Sequence, residues 1–112
     1  MMDCIFCRIA SKKIPSSIVH ETDDLVVIKD ISPQAPVHLL VIPKKHYATL
    51  LECEDKILLA GMFEAAKAAA KNAGVDESGF RTIVNTNEEG GQTVPHLHMH
   101  ILGGRQLTGR MG

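Results

Sequence analysis

His96-Leu97-His98-Met99-His100-Ile101-Leu102 alternates polar and apolar side chains over seven residues. At the two-residue period of a β-strand, the three imidazoles share one face while Leu97, Met99 and Ile101 share the other. Histidine, with an unperturbed pKa of about 6.5, serves near neutrality as base, acid, nucleophile or metal ligand. A purification tag would not alternate with Leu, Met and Ile. Three rings along one strand reach roughly 13 Å end to end, whereas zinc draws its nitrogen ligands in to about 2.0–2.1 Å, so at most two of them ligate one ion comfortably. Nucleophilic catalysis is the second reading: one imidazole nitrogen attacks an electrophilic centre and its neighbours bind or protonate the rest.

Immediately upstream stands Gly90-Gly91-Gln92-Thr93. Paired glycines let backbone N–H groups approach an anion, and an amide and a hydroxyl add donors, so the loop suits a phosphate. Before it, Phe80-Arg81-Thr82-Ile83-Val84-Asn85 reads as a fourth strand. From about Glu54 to Ala73, Leu58, Met62, Ala65, Ala66, Ala69 and Ala73 recur at spacings of three and four, which predicts the one long helix, ended at Gly74. Val37-His38-Leu39-Leu40-Val41-Ile42 is a third strand, so continuously apolar that both faces are buried. Two prolines between Asp30 and Pro36 make a rigid connector in front of it. Ile18-Val19-His20 and Leu25-Val26-Val27-Ile28 flank a polar turn as an antiparallel pair, and the opening Cys4 to Ala10 forms one or two helical turns. With no repeat, linker or second domain in view, residues 1–112 read as one domain of strands around one long helix.

Composition excludes several functions. With 12 Lys+Arg against 13 Asp+Glu and a net charge of −1, the chain offers no electrostatic footprint for nucleic acid or an anionic membrane. Met1-Met2-Asp3-Cys4 opens without the basic and apolar regions of a secretory signal, and no apolar run approaches the ~18 residues of a membrane span. Three cysteines form no secreted disulfide framework and suit a reducing compartment, so a cytoplasmic protein is expected. Cys4 and Cys7 have a spacing that suits zinc, a redox pair or two unrelated buried thiols. Cys53 reads as a small residue near the helix.

The histidine stretch resembles the defining motif of the histidine triad (HIT) superfamily. Asp30 to His46, Gly90-Gly91-Gln92 and Leu102-Gly103-Gly104-Arg105 resemble its Hint branch, and the likeness runs from about Cys4 to Arg105. It implies an α+β domain with a five-stranded antiparallel sheet, one main helix and a short N-terminal helix, paired into a homodimer. It also implies hydrolysis of purine nucleoside 5′-phosphoramidates, with an amine or lysine on the phosphorus. By motif position His98 is the nucleophile, forming a nucleotidyl-imidazole that water discharges, while His100 contacts the phosphate and assists proton transfer. His38 belongs to the surrounding imidazole network. Asp30 matches the ribose contact with Ile31 beside it. Asn85, Gly91, Gln92 and Thr93 match the phosphate and leaving-group shell, and Ile5, Phe6 and Ile9 match part of the base pocket.

The same resemblance implies a structural zinc held by Cys4, Cys7, His46 and His96. Thr93 departs from the serine of many Hint proteins, and the ending Gln106 to Gly112 lacks their tryptophan-proline tail; both departures bear on leaving-group preference. A nucleotide-binding regulatory module, and a dinucleoside polyphosphate hydrolase or nucleotidyl transferase of the same superfamily, are the alternatives.

Overall fold

The computed structural model describes residues 4–110. Helix α1 (Ile5–Ala10) leads into β1 (Ile18–Glu21), β2 (Leu25–Lys29) and β3 (Val37–Pro43). A 3-10 turn at Leu50–Glu52 precedes α2 (Lys56–Asn72), and β4 (Phe80–Ile83) and β5 (Met99–Gly103) complete the chain. The strands form one antiparallel sheet in the order β1-β2-β3-β5-β4.

Strand β3 lies between β2 and β5, and every residue from His38 to Pro43 is buried, which is why it reads as a continuous apolar run. Its two faces carry two cores. Leu39 and Val41 join Val27, Met99, Ile101 and the Met62, Ala65, Ala66 and Ala69 face of α2. Leu40 and Ile42 join Val26, Ile28 and the Phe6 and Ile9 of α1. The alanines bring the helix close to the sheet without a bulky layer between them.

The ends of α2 follow from local chemistry. The Asp55 carboxylate accepts the Leu58 N–H (2.9 Å), so the helix starts at Lys56, two residues inside the expected boundary. At the other end Val75 N–H reaches Ala70 O and Gly74 N–H reaches Lys71 O, a Schellman motif with Gly74 at φ +77°.

Two strand boundaries differ from expectation. Strand β4 stops at Ile83 rather than Asn85, and β5 begins at Met99 rather than His96. Pro95 has no N–H to give a ladder, His96 N–H turns back to Val94 O (2.8 Å), and Leu97 N–H bonds Tyr47 O (2.7 Å) instead of a sheet neighbour. The side-chain alternation nonetheless persists through this irregular entry. The 3-10 turn, held by the Thr49 hydroxyl accepting Leu51 N–H, lies in a stretch where no element is expected.

Candidate active site

In β5, His100 pairs with Leu40 of β3 and with Ile83 of β4, while His38 pairs with Leu102. This register sets His38 diagonally beside His100 on one face, within reach of a long side chain. Their Nε2 and Nδ1 atoms lie 2.9 Å apart. One residue pair upstream, His98 stacks edge-on to His100 with ring centroids 5.0 Å apart, and Phe6 of α1 stands edge-on to both His98 (5.0 Å) and His96 (5.8 Å).

Main-chain partners assign the protons. The Gln34 N–H donates to His38 Nδ1 (3.1 Å), so in the neutral ring Nε2 carries the hydrogen. That hydrogen points at His100 Nδ1, with the Asp30 carboxylate 3.4 Å away, and His100 in turn carries its own hydrogen on Nε2. For His98, Nδ1–H donates to the His96 carbonyl (2.8 Å), which leaves Nε2 as a bare lone pair. Adjacent rings thus offer opposite chemistry, a lone pair on His98 and an N–H on His100. Burial holds the pKa of His98 below the usual histidine value, and burial with the neighbouring His98 and His38 charges pushes His100 down to about 4. Both rings are neutral at pH 7.

His96, on the same face, turns its lone pair to a different cluster. Its Nε2–H donates to Pro43 O (2.7 Å), leaving the Nδ1 lone pair 3.3 Å from Cys4 Sγ, 3.6 Å from Cys7 Sγ and 3.1 Å from His46 Nδ1. Cys7 Sγ also lies 3.3 Å from His46 Nδ1. The four ligand atoms all fall within 4.8 Å of one another. A tetrahedral metal site with bonds of about 2.0–2.3 Å has ligand–ligand edges of about 3.3–3.8 Å, so the set fits one ion. A backbone carbonyl on the far ring nitrogen is the usual support of a ligating histidine. Burial, with Cys4 beside it, raises the Cys7 thiol pKa, so a metal must displace protons to bind here.

Asp30, His38 and His100 also converge within 4.8 Å. They do not suit a metal. With Gln34 N–H on its Nδ1, His38 has a hydrogen on Nε2 where a ligand needs a lone pair.

A cavity of about 420 Å³ brings together His38, Asn85, Gly91, Thr93 and His100, with Glu89 and Gly90 also lining it. The glycines there have separate reasons: a Cβ on Gly90 would meet Thr86 O at 2.4 Å, and Gly91 sits at φ +78°. The Gly91 and Gln92 N–H groups do not cradle an anion, because they bond Glu88 O and Asn87 O and close the loop on itself. Asn85 Nδ2–H donates to Gly90 O (2.7 Å), and Gln92 turns away from the cavity. Asp30 lines a neighbouring cavity of about 450 Å³ with His38, its Oδ1 accepting Ser32 N–H (2.7 Å). Phe6 and Ile9 are buried in the α1 core rather than open as a pocket wall, whereas Ile5 and Ile31 are exposed. The residue types at 38, 96, 98 and 100 are visible in the sequence. The Pro43 carbonyl and Gln34 N–H that assign their roles carry no sequence signal.

The HIT domain family model matches residues 11–107. The chain is similar to the purine nucleoside phosphoramidase of Escherichia coli (strain K12), 44% identical over 107 residues covering 94% of this chain and 90% of that one. The crystal structure of a HIT family hydrolase from Legionella pneumophila Philadelphia 1 superposes with a TM-score of 0.95 at 46% identity, covering 98% of this chain and all of that one. A Zn-bound histidine triad family protein from Mycobacterium smegmatis matches with a TM-score of 0.80 at 31% identity, covering 93% of this chain and 76% of that one.

Proposed function

Because the chain belongs to the HIT domain family, we propose that it is a hydrolase of purine nucleoside 5′-phosphoramidates, working as one HIT domain through a nucleotidyl-histidine intermediate. The observation that carries this reading is the pairing of the bare His98 Nε2 with the His100 Nε2–H on the neighbouring ring. His98 Nε2 attacks the α-phosphorus and the P–N bond breaks. The departing amine must leave protonated: solvent supplies one proton, His100 carries it as a transient imidazolium that the Asp30 carboxylate stabilises, and the Nε2–H passes to the amine, with His38 holding the ring in place. Water then attacks the phosphorus, releases one proton to solvent and frees His98. The Thr93 hydroxyl and Asn85 side chain serve the phosphate, and Asp30 Oδ2 retains lone pairs for a ribose hydroxyl. The exposed Ile31 and Ile5 offer apolar surface for the base.

Zinc at Cys4, Cys7, His46 and His96 would tie α1, the loop after β3 and the entry to β5 together, and its contribution is structural. The similarity to a Zn-bound relative supports that choice of metal. The described cysteines are free thiols, which suits the cytoplasm. Among the described residues no helix is long and apolar enough to cross a membrane. The open edge of β4 suits pairing with a second copy in a homodimer.

A single-turnover assay with AMP phosphoramidate tests the reading. The expected result is an AMP–protein adduct that His98→Ala no longer forms. Turnover surviving in that variant overturns the nucleophile assignment, and preference for a nucleotide over an amine leaving group moves the substrate to dinucleoside polyphosphates.

A further inference from the structure

Gln92 adjoins the cavity residue Thr93, yet its side chain is directed elsewhere. Its Nε2 lies 2.7 Å from Ala48 O and 2.9 Å from Val94 O, and its Oε1 lies 2.9 Å from the Asn87 N–H. A carboxamide nitrogen has two hydrogens, and both are committed to carbonyls. The opposite amide orientation would set an oxygen against two carbonyl oxygens and an NH2 against an N–H, so the assignment is unambiguous. No hydrogen remains for a phosphate oxygen or a leaving amine unless a bond to the backbone is broken.

We propose that Gln92 is a positioning residue, a clamp that fastens the glycine loop to the segment following β3, and not a group that touches substrate. The loop is held from two sides: Asn85 grips Gly90 O from within the cavity, and Gln92 grips Ala48, two residues beyond His46, from behind it. Next to these grips lie Gly91 and Thr93, which line the cavity beside His100. The loop's own N–H groups bond within it, so it depends on these side chains for its place relative to β5. Losing the clamp displaces Thr93 from the reacting phosphorus. A misplacement of about 1 Å is enough for a loss on the order of a hundredfold.

The catalytic consequence rests on the hydrolase reading above, whereas the clamp does not. The test uses the full chain without ligand. Amide hydrogen exchange of wild-type protein should show the Asn87 N–H protected. Gln92→Met, of similar length without polar atoms, and Gln92→Glu, with no donors, should each raise exchange across residues 86–93 by roughly tenfold or more. With AMP phosphoramidates whose leaving amines differ in basicity, both variants should lose kcat/KM by one common factor. An exposed Asn87 amide in the wild type overturns the proposal even if the variants fail to fold. Unchanged loop exchange in the variants also overturns it, and a rate loss that grows with leaving-group basicity would place Gln92 on the leaving group instead. Exchange is read whether or not the chain turns over a phosphoramidate, so failure of the hydrolase reading leaves the clamp decided on its own evidence.

Discussion

Two histidine clusters lie along the same few residues of chain and end up with opposite chemistry. Around His96 the ring gives its Nε2–H to the Pro43 carbonyl, so its Nδ1 lone pair points at two sulfurs and His46. Around His100 the neighbouring His38 receives the Gln34 N–H on Nδ1, so its Nε2–H points at His100 Nδ1 and His100 keeps its own hydrogen on Nε2. One cluster presents lone pairs, as a cation requires, and the other presents an N–H. The difference comes from whether the main chain presents a C=O or an N–H to the buried ring. His98 sits between them, its own Nδ1–H held by the His96 carbonyl, so the proposed zinc ligand and the proposed nucleophile are joined by one hydrogen bond. Phe6, placed between Cys4 and Cys7, touches both rings and reinforces that link.

The comparison breaks most completely at the residue between the clusters. His98→Ala should lower the rate of AMP phosphoramidate hydrolysis by about 10⁴-fold or more while AMP still binds, measured by single-turnover kinetics and calorimetry. Next comes the metal side. Elemental mass spectrometry of untagged protein should find one zinc per chain, and Cys4→Ser with Cys7→Ser should remove it. With free zinc a thousandfold above Kd the lost binding is about 4 kcal/mol of stability, read from denaturant midpoints. A full zinc complement in that double variant would show the sulfurs to be bystanders.

The relay side should respond differently. His38→Leu should leave the zinc content at one and cost about a hundredfold in kcat, more for basic leaving amines than for acidic ones, because it acts through His100. A change in metal content instead would merge the two clusters into one.

Acidification is the mildest probe. Burial holds the folded-state pKa of His100 at about 4, against about 6.5 unfolded. Between those values the unfolded chain binds the extra proton, so the stabilisation is complete above about pH 6.5 and is lost as pH falls toward 4. The acid limb of kcat/KM should likewise fall below pH 6.5, and a midpoint near 7 would contradict the buried, neutral rings.

Much of this architecture was readable in advance. The Leu58 to Ala69 periodicity predicted α2, and the β-branched runs at 18–20, 25–28 and 37–42 predicted three strands within a residue or two. The ends were less legible where side chains or irregular backbone set them: Asp55 trimmed the helix, and Pro95 with the Leu97 to Tyr47 bond delayed β5 to Met99. Among the candidate site residues, His38, His98 and His100 lie side by side, and Cys4, Cys7, His46 and His96 lie together as a second set. Phe6 and Ile9, expected at the base pocket, are buried in the core beneath α1, with Phe6 edge-on to His98.

The sequence by itself determined which residues alternate, which are apolar and where the backbone must turn, because period and side-chain chemistry are local properties. Those suffice for an α+β sheet carrying histidines on one face. Tertiary structure alone decided what each histidine does. The proton on an imidazole is placed by whichever distant backbone group reaches it, and Pro43 O, Gln34 N–H and His96 O reach these rings only once β3 and β5 are paired.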